Sequence, residues 1–425
     1  MSTIFAPSSG LPPAAIAVIR ISGSDAFAAA RALAGDLPVP REARLRTLRD
    51  AAGDHLDTAL VIVFPAPNTA TGEDLVELHV HGGRAVVAAV ESALAAQPNL
   101  RRAAPGEFTR RALANGRIDL AEAEGLGDLL SAETELQRRA AVAMAEGLLS
   151  RRIASWRAGL LGLAARLEAS LDFADEADVD PVLLDAVRKD GEAIAADIAI
   201  VLAAPPVDRL RDGIRVVLAG PPNSGKSTLL NALARRDAAI VSPLAGTTRD
   251  RIEVPVARDG IPFVLTDTAG LRDATEDAIE AIGIERASQA IAGADIVLWL
   301  GDDPPPHSGM IWLHARADAP GRASPPAGTE LAVSAATGAG IEDLWKKLVS
   351  RTATLIPGTN DLALNERQRG HCQEALEALR DLEVGDELIV ADALRRANIA
   401  LARITGDVGI EAMLDTLFSR FCIGK

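Results

Sequence analysis

The stretch IRVVLAGPPNSGKSTLLNALARR, residues 214–236, constrains this chain more than any other. Gly220-Pro221-Pro222-Asn223-Ser224-Gly225-Lys226-Ser227 fits G-x-x-x-x-G-K-[ST], with a strand-like apolar run before it and a helical pattern after it. Glycines are needed because backbone N–H groups must approach phosphate oxygens through conformations that a Cβ disfavours. Asn223, Ser224, Gly225, Lys226, Ser227 and Thr228 are therefore candidate nucleotide contacts. Lys226 would reach the β and γ phosphates, Ser227 would bind Mg²⁺, and the helix N-terminus adds favourable partial charge. A bare glycine turn is the alternative, and the flanking strand and helix argue against it.

Downstream, FVLTDTAG (263–270) reads as a strand ending in Asp-x-x-Gly. Asp267 would hold the magnesium shell, with Thr268 and Ala269 in the same turn. Gly270 would present its N–H to the γ phosphate and move when that group leaves. Between the two motifs, Gly246-Thr247-Thr248-Arg249-Asp250 offers Thr248 as a second Mg²⁺ ligand on a switch segment. After Gly270 stands Leu271, where Ras-type enzymes carry a water-orienting glutamine. Glu280 is the candidate replacement, although the residues alone favour reading it as a solvated helix carboxylate. Further on, Ser334-Ala335-Ala336 follows a strand and fits a loop that cradles a purine with backbone amides.

At IWLHARADAP (311–320) a guanine-specific enzyme would carry Asn-Lys-x-Asp, and here the letters are Ala315-Arg316-Ala317-Asp318. Asp318 keeps the carboxylate that pairs with the N1–H and exocyclic amine of guanine. Adenine would set an acceptor against it. Arg316 is expected to lay its stem and guanidinium over the base. Ala315 removes the asparagine that would brace the base pocket to the phosphate loop, so looser binding with guanine preference retained is expected.

The rest of the chain alternates in character. Residues 1–117 mix strand-like runs (AAIAVIRISG, TALVIVFPAP, EDLVELHVHGG) with a helical one (AVVAAVESALAA), as in an α+β domain. Residues 118–209 and 351–425 are helical, and 210–350 alternate strands with helices. A helical domain resumed after an α/β unit implies that the α/β unit is inserted into it.

Composition narrows the function. A net charge of −15 argues against broad, nonspecific nucleic-acid binding, which depends on phosphate neutralisation. Arg101, Arg102, Arg110, Arg111 and Arg117 form one basic neighbourhood and read as paired arginines on a solvated face. No apolar run reaches the roughly 18 residues of a membrane span, and no secretory signal is evident. Two cysteines, Cys372 and Cys422, build no disulfide framework, so a cytoplasmic location is expected. His79 and His81 share a strand face, but no further ligand accompanies them for zinc.

These motifs and their flanks resemble the bacterial tRNA uridine-modifying GTPase family MnmE, also called TrmE. The resemblance rests on TIFAPSSGLPPAAIAVIRISG, GEDLVELHVHGG, APGEFTRRALANGRIDLAEAEGLGDLL, LEASLDFADE, GTTRD, DTAGLRD and the terminal FCIGK, and covers nearly the whole chain. It implies an N-terminal folate-binding, dimerising domain, a discontinuous helical domain and an inserted Ras-like P-loop GTPase domain. It further implies an Mg²⁺-dependent, potassium-stimulated GTPase acting as a homodimer. A flavoprotein partner, MnmG, which carries the FAD, would complete a heterotetramer. Together they would place an aminomethyl-type group on carbon 5 of the wobble uridine of tRNA, using a tetrahydrofolate one-carbon unit. Arg20, Glu77, Arg117 and Lys425 fall on the family's folate-contacting positions, although composition alone reads all four as surface charges. Asn223, Ser242, the Leu244 carbonyl and Thr247 fall on its potassium ligands, and Glu280 on its water-positioning glutamate. Lys226 and Glu280 are thus the catalytic pair. Cys422 is the family's C-terminal cysteine, read either as a nucleophile or as a structural, folate-adjacent group.

Two other functions share the GTPase motifs: a GTP-dependent assembly or ribosome-maturation switch, and a weakly nucleotide-binding scaffold. The switch would not require Arg20, Glu77, Arg117 or the FCIGK terminus, while the scaffold gains weight from the altered guanine motif and the shortened GDDPPPHSG region before it.

Overall fold

The computed structural model describes residues 2–172, 181–236, 253–268, 288–358, 361–383, 386–408, 414, 417, 418, 421 and 424. The chain divides into two units. The first holds Met1–Gly127, Met144–Ile153 and Ala402–Lys425, and the second Asp128–Ala143 and Ala154–Leu401.

In the first unit, β1 (Thr3–Pro7), β2 (Ile16–Ser22), β3 (Arg44–Arg49), β4 (His55–Phe64), β5 (Leu75–His81) and β6 (Leu100–Arg102) form one sheet in the order β3-β4-β5-β2-β1-β6. Every ladder is antiparallel except β1–β6. Period-2 alternation on β4 buries Ala59, Val61 and Val63 against helices Ala26–Ala34 and Arg84–Ala95. The opposite face carries Leu60, Ile62, Glu77 and His79, which the register places side by side. Near the chain end, Gly424 (φ 99°) accepts a hydrogen bond from Ser8 Oγ at 2.7 Å. A Cβ there would lie 1.9 Å from the Pro7 carbonyl oxygen, so only glycine permits this approach.

In the second unit, β7 (Ile214–Ala219), β8 (Glu253–Arg258), β9 (Ile261–Asp267), β10 (Ile296–Trp299), β11 (Ile311–Ala315) and β12 (Leu331–Val333) order as β12-β11-β10-β7-β9-β8. All neighbours are parallel except the β8–β9 hairpin. Helices Lys226–Arg236 and Ile341–Thr352 cover the sheet, with Trp345 buried edge-on against Phe263 at 5.3 Å between centroids. Long helices precede and follow this α/β portion, among them Pro181–Ala203 and Glu366–Arg380. Asn365 and Gln368 form a capping box at the start of the latter. Arg369 closes the end of the former by donating to the Leu202 and Ala204 carbonyls at 2.8 and 2.7 Å.

Candidate functional site

Parallel strands all deliver their carboxyl ends to one edge of the sheet, where α/β folds bind ligands. At that edge β7 feeds the phosphate loop, β9 ends in Asp267, β11 ends in Ala315 and β12 leads into Ser334. The phosphate loop, the end of β11 with the segment after it, and the residues around the end of β12 line a cavity of about 630 Å³; Asp267 reaches its edge through Ser227. Asn223, Gly225, Lys226, Ser227 and Thr228 line it from the glycine-rich loop, and Arg316, Asp318, Ala335 and Ala336 line it from the segments after β11 and β12. Residues separated by a hundred positions in sequence are thereby brought onto one site.

The loop turns through three positive-φ residues, Gly220 (146°), Asn223 (61°) and Gly225 (95°). Lys226 Nζ donates to the Gly220 and Pro221 carbonyls at 3.1 and 2.8 Å. Ser227 Oγ donates to Asp267, so hydroxyl and carboxylate meet at the helix start, a hard-oxygen pair suited to Mg²⁺. Ser224 Oγ is buried without a hydrogen-bond partner among the described residues. Leaving such a group unpaired costs about 1–3 kcal/mol, which an anionic ligand at this loop would relieve. Thr268 Oγ1 donates to the Leu218 carbonyl at 2.9 Å and locks the end of β9 to β7.

Across the cavity, Asp318 is exposed and its carboxyl lies below the ordinary carboxylate range. The Ser334 hydroxyl hydrogen bond is the main cause, joined by its own backbone N–H and the Arg316 charge. Ser334 itself is 1% exposed and accepts the Thr337 N–H at 3.1 Å. Arg316 makes a further contact. Its guanidinium donates to the Asn223 carbonyl at 3.1 Å, and its stem passes over Gly225, where a Cβ would sit 3.3 Å from Arg316 Cγ. The arginine therefore ties the purine loop to the phosphate loop, the job that Ala315 cannot do with a methyl group. Ser242, Leu244, Thr247, Thr248, Ala269, Gly270 and Glu280 lie outside the described residues, as do Cys422 and Lys425.

In the first unit, Arg20 and Glu77 are register partners on β2 and β5. Arg20 Nε and Nη2 donate to Glu77 Oε1 at 3.2 and 2.7 Å, and His79 Nε2 contacts Oε2 at 3.2 Å. Burial alone would raise the Glu77 carboxyl, but the Arg20 hydrogen bond and charge, with His79, bring it below the usual range. The Arg20 guanidinium also stacks 5.9 Å from the Phe108 ring centre. Arg117 lines a separate cavity of about 940 Å³ with Arg110, Asp119, Glu122 and Asp407. Arg20 and Glu77 thus come together, and neither lines the cavity of Arg117.

One reading is corrected. Arg111 is not on a solvated face: it is 5% exposed, held by Glu73 at 2.9 Å and Glu107 at 3.0 Å. Its neighbours Arg101 and Arg102 do pair on the surface, with Glu107 and Glu91. Sequence reasoning also passed over Asp302, His314 and Arg322, which surround the purine loop.

The chain is similar to known proteins along its whole length. A family model described as the GTP-binding protein TrmE N-terminus matches residues 3–117, and one described as the MnmE helical domain matches 120–422. The tRNA modification GTPase MnmE of Erythrobacter litoralis is 54% identical, covering 100% of both chains. That of Rhizorhabdus wittichii is 56% identical, covering 100% of this chain and 96% of its own. Among solved structures, the G domain of the T. maritima FeoB iron transporter aligns with 33% of this chain and 98% of its own, at 24% identity and a TM-score of 0.23. With one family model running across most of its length and relatives alike from end to end, this chain belongs to the tRNA modification GTPase MnmE family.

Proposed function

We propose that this chain hydrolyses GTP as a component of a complex that modifies the wobble uridine of tRNA. The observation that carries the nucleotide half is the convergence of Lys226, Ser227, Asp267 and Asp318 on one edge of a parallel sheet. Lys226, now spread over two loop carbonyls, is placed to turn onto the phosphates. Asp318 faces the purine with a carboxylate that Ser334 keeps oriented and ionised. Ser227 and Asp267, with Thr248, would hold Mg²⁺, which supplies positive charge to the phosphates when bound. Of the four positions that resemble potassium ligands, Asn223 is described and lines the cavity. Glu280 is proposed to position the attacking water.

The tRNA half rests on family membership, since the relatives carry "tRNA modification" in their names. Tetrahydrofolate would be held in the first unit by Arg20, Glu77, Arg117 and Lys425. A carboxylate suits the donor edge of a pterin, and cations suit a glutamate tail. Glu77 already has one oxygen on Arg20 and the other on His79, so pterin binding would require it to share these partners. Homodimerisation through the first unit, a flavoprotein partner holding the FAD, and a cytoplasmic location complete the proposal. Among the described residues no helix is long and apolar enough to cross a membrane.

Reconstitution tests it: the protein, a flavoprotein of the partner family, unmodified tRNA, GTP and a methylene-tetrahydrofolate are combined, and the wobble nucleoside is read by mass spectrometry. An aminomethyl-type mass gain that requires both GTP and folate is expected. GTP turnover with no dependence of any tRNA product on folate would favour the assembly-switch reading. The scaffold reading draws on the altered guanine motif and the short GDDPPPHSG stretch before it, and the Arg316–Asn223 bond supplies a brace where Ala315 has none.

A further inference from the structure

The loop that carries Asp318 is closed by a residue that lines no part of the nucleotide cavity. Arg322 reaches back along its own loop, and its Nε donates to the Ala315 carbonyl at 3.0 Å. Its two terminal nitrogens grip both oxygens of Asp302, Nη1 to Oδ2 at 2.9 Å. The Arg322 carbonyl accepts His314 Nε2 at 2.7 Å, and Nη2 approaches His314 Nδ1 at 3.4 Å. The first of these contacts puts a proton on Nε2, since a carbonyl oxygen can only accept. Two turns fold the intervening segment: Ala319 N–H to the Arg316 carbonyl at 2.9 Å, and Arg322 N–H to the Ala319 carbonyl at 3.1 Å. His314 is 4% exposed and Arg322 about a quarter exposed, while Asp302 stands largely in solvent.

We propose that Arg322, clamped by Asp302 and His314, is a positioning residue for guanine recognition: it fixes the start of the Asp318 loop in place of the asparagine side chain that residue 315 lacks. The chemistry fits the geometry. A guanidinium presents Nε–H and two NH₂ groups in one rigid plane, so it can hold a carbonyl and a carboxylate at once. Asp318 then sits between two anchors, Arg322 on the Ala315 carbonyl and the Ala317 N–H on the Val333 carbonyl at 3.1 Å. A loop held this way loses less freedom when the base arrives, which appears as affinity rather than as rate. Arg316 acts on the other side, toward the phosphate loop, so the two arginines divide the bracing between them.

This inference rests on the guanine-nucleotide reading, and the test separates the two. Binding of fluorescent GDP and steady-state GTP turnover are measured for the wild type, Arg322→Ala, Arg322→Lys, Asp302→Asn and Asp318→Asn, and for Arg322→Ala combined with Asp318→Asn. Arg322→Ala is expected to raise the GDP Kd and the KM for GTP by roughly 5- to 20-fold, with kcat changed less than about twofold. Arg322→Lys keeps the charge but not the fork, and is expected to give no rescue. Asp302→Asn, which removes only a solvent-exposed partner, is expected to raise Kd by about two- to fivefold, an effect that fades in high salt. In the Asp318→Asn background, Arg322→Ala is expected to change Kd by less than about twofold, because the carboxylate it positions is gone. An equal loss in both backgrounds, or wild-type affinity in Arg322→Ala, would overturn the clamp. Should Arg322→Ala fail to fold, the same comparison is made with Asp302→Asn in the two backgrounds. A wild type that binds no guanine nucleotide would instead sink the reading on which the clamp depends.

Discussion

Arg316 and Asn223 both hold left-handed backbone conformations, φ 56° and 61°, and are joined by a 3.1 Å hydrogen bond from guanidinium to carbonyl. Two non-glycine residues in that region, tied to each other across one cavity, point to a built contact, since each conformation costs free energy that the surroundings must offset.

Breaking that tie should loosen nucleotide binding. Arg316→Ala is expected to weaken GDP by about 1–2 kcal/mol, roughly 5- to 30-fold, as for one hydrogen bond from a charged donor. Ala315→Asn, restoring a side-chain brace, is expected to tighten GDP binding and to soften the effect of Arg316→Ala. Titration with a fluorescent nucleotide reads both. Additive effects of the two substitutions would show that they brace different things.

Asp318 decides the base. Asp318→Asn is expected to lower GTP affinity at least about tenfold, by replacing an ionised acceptor for two donors with a neutral amide. Competition by GTP, XTP and ATP against a bound fluorophore measures the loss of guanine preference. Unchanged GTP selectivity would mean that the carboxylate faces something else.

Acid should unfasten the first unit through Glu107. Burial alone would raise that carboxyl, but hydrogen bonds from Arg101, the Ala104 N–H and Arg111 outweigh it and hold it at about 2 against an ordinary 4.5. A group whose folded pKa is depressed contributes stability above its unfolded pKa and loses it on protonation. The contribution is therefore complete above about pH 4.5 and disappears as the pH falls toward about 2. Glu107→Gln is expected to flatten the acid limb of a denaturation profile over that window, and an unaltered slope would count against the network.

Gly424→Ala should unseat the chain end. The new Cβ would fall 1.9 Å from the Pro7 oxygen at a φ of 99°, so the Ser8–Gly424 bond cannot survive unchanged. Faster carboxypeptidase trimming and faster hydrogen exchange along β1 are the expected readouts. If Lys425 contacts folate as proposed, tetrahydrofolate affinity falls with them.

How much of this was legible in the letters follows from how local each signal is. The phosphate loop, β7, β9 and β12 were readable because strand, glycine turn and helix succeed one another within a few residues. TIFAP does not announce β1, because five residues are too few to show a period, although they form a buried interior strand. Arg111 looked solvated because it follows another arginine, and folding alone brings Glu73 to it across 38 positions. The pairing of Asp302 with Arg322 was hidden for a related reason. Both lie in proline- and glycine-rich stretches that read as loops, and the bond between them spans 20 residues. Arg20 and Glu77 each stand out by resemblance alone, and their pairing appears only in the register of β2 on β5.

The altered loop at Ala315–Asp318 is expected still to select guanine while the protein hydrolyses GTP. Phosphate release from GTP, ATP and XTP by the wild type is measured in potassium and in sodium buffer, each with Mg²⁺. Turnover of GTP well above that of ATP and XTP, faster in potassium than in sodium, is the predicted result. No turnover of any nucleotide in either cation, or equal turnover of GTP and ATP, would contradict the account.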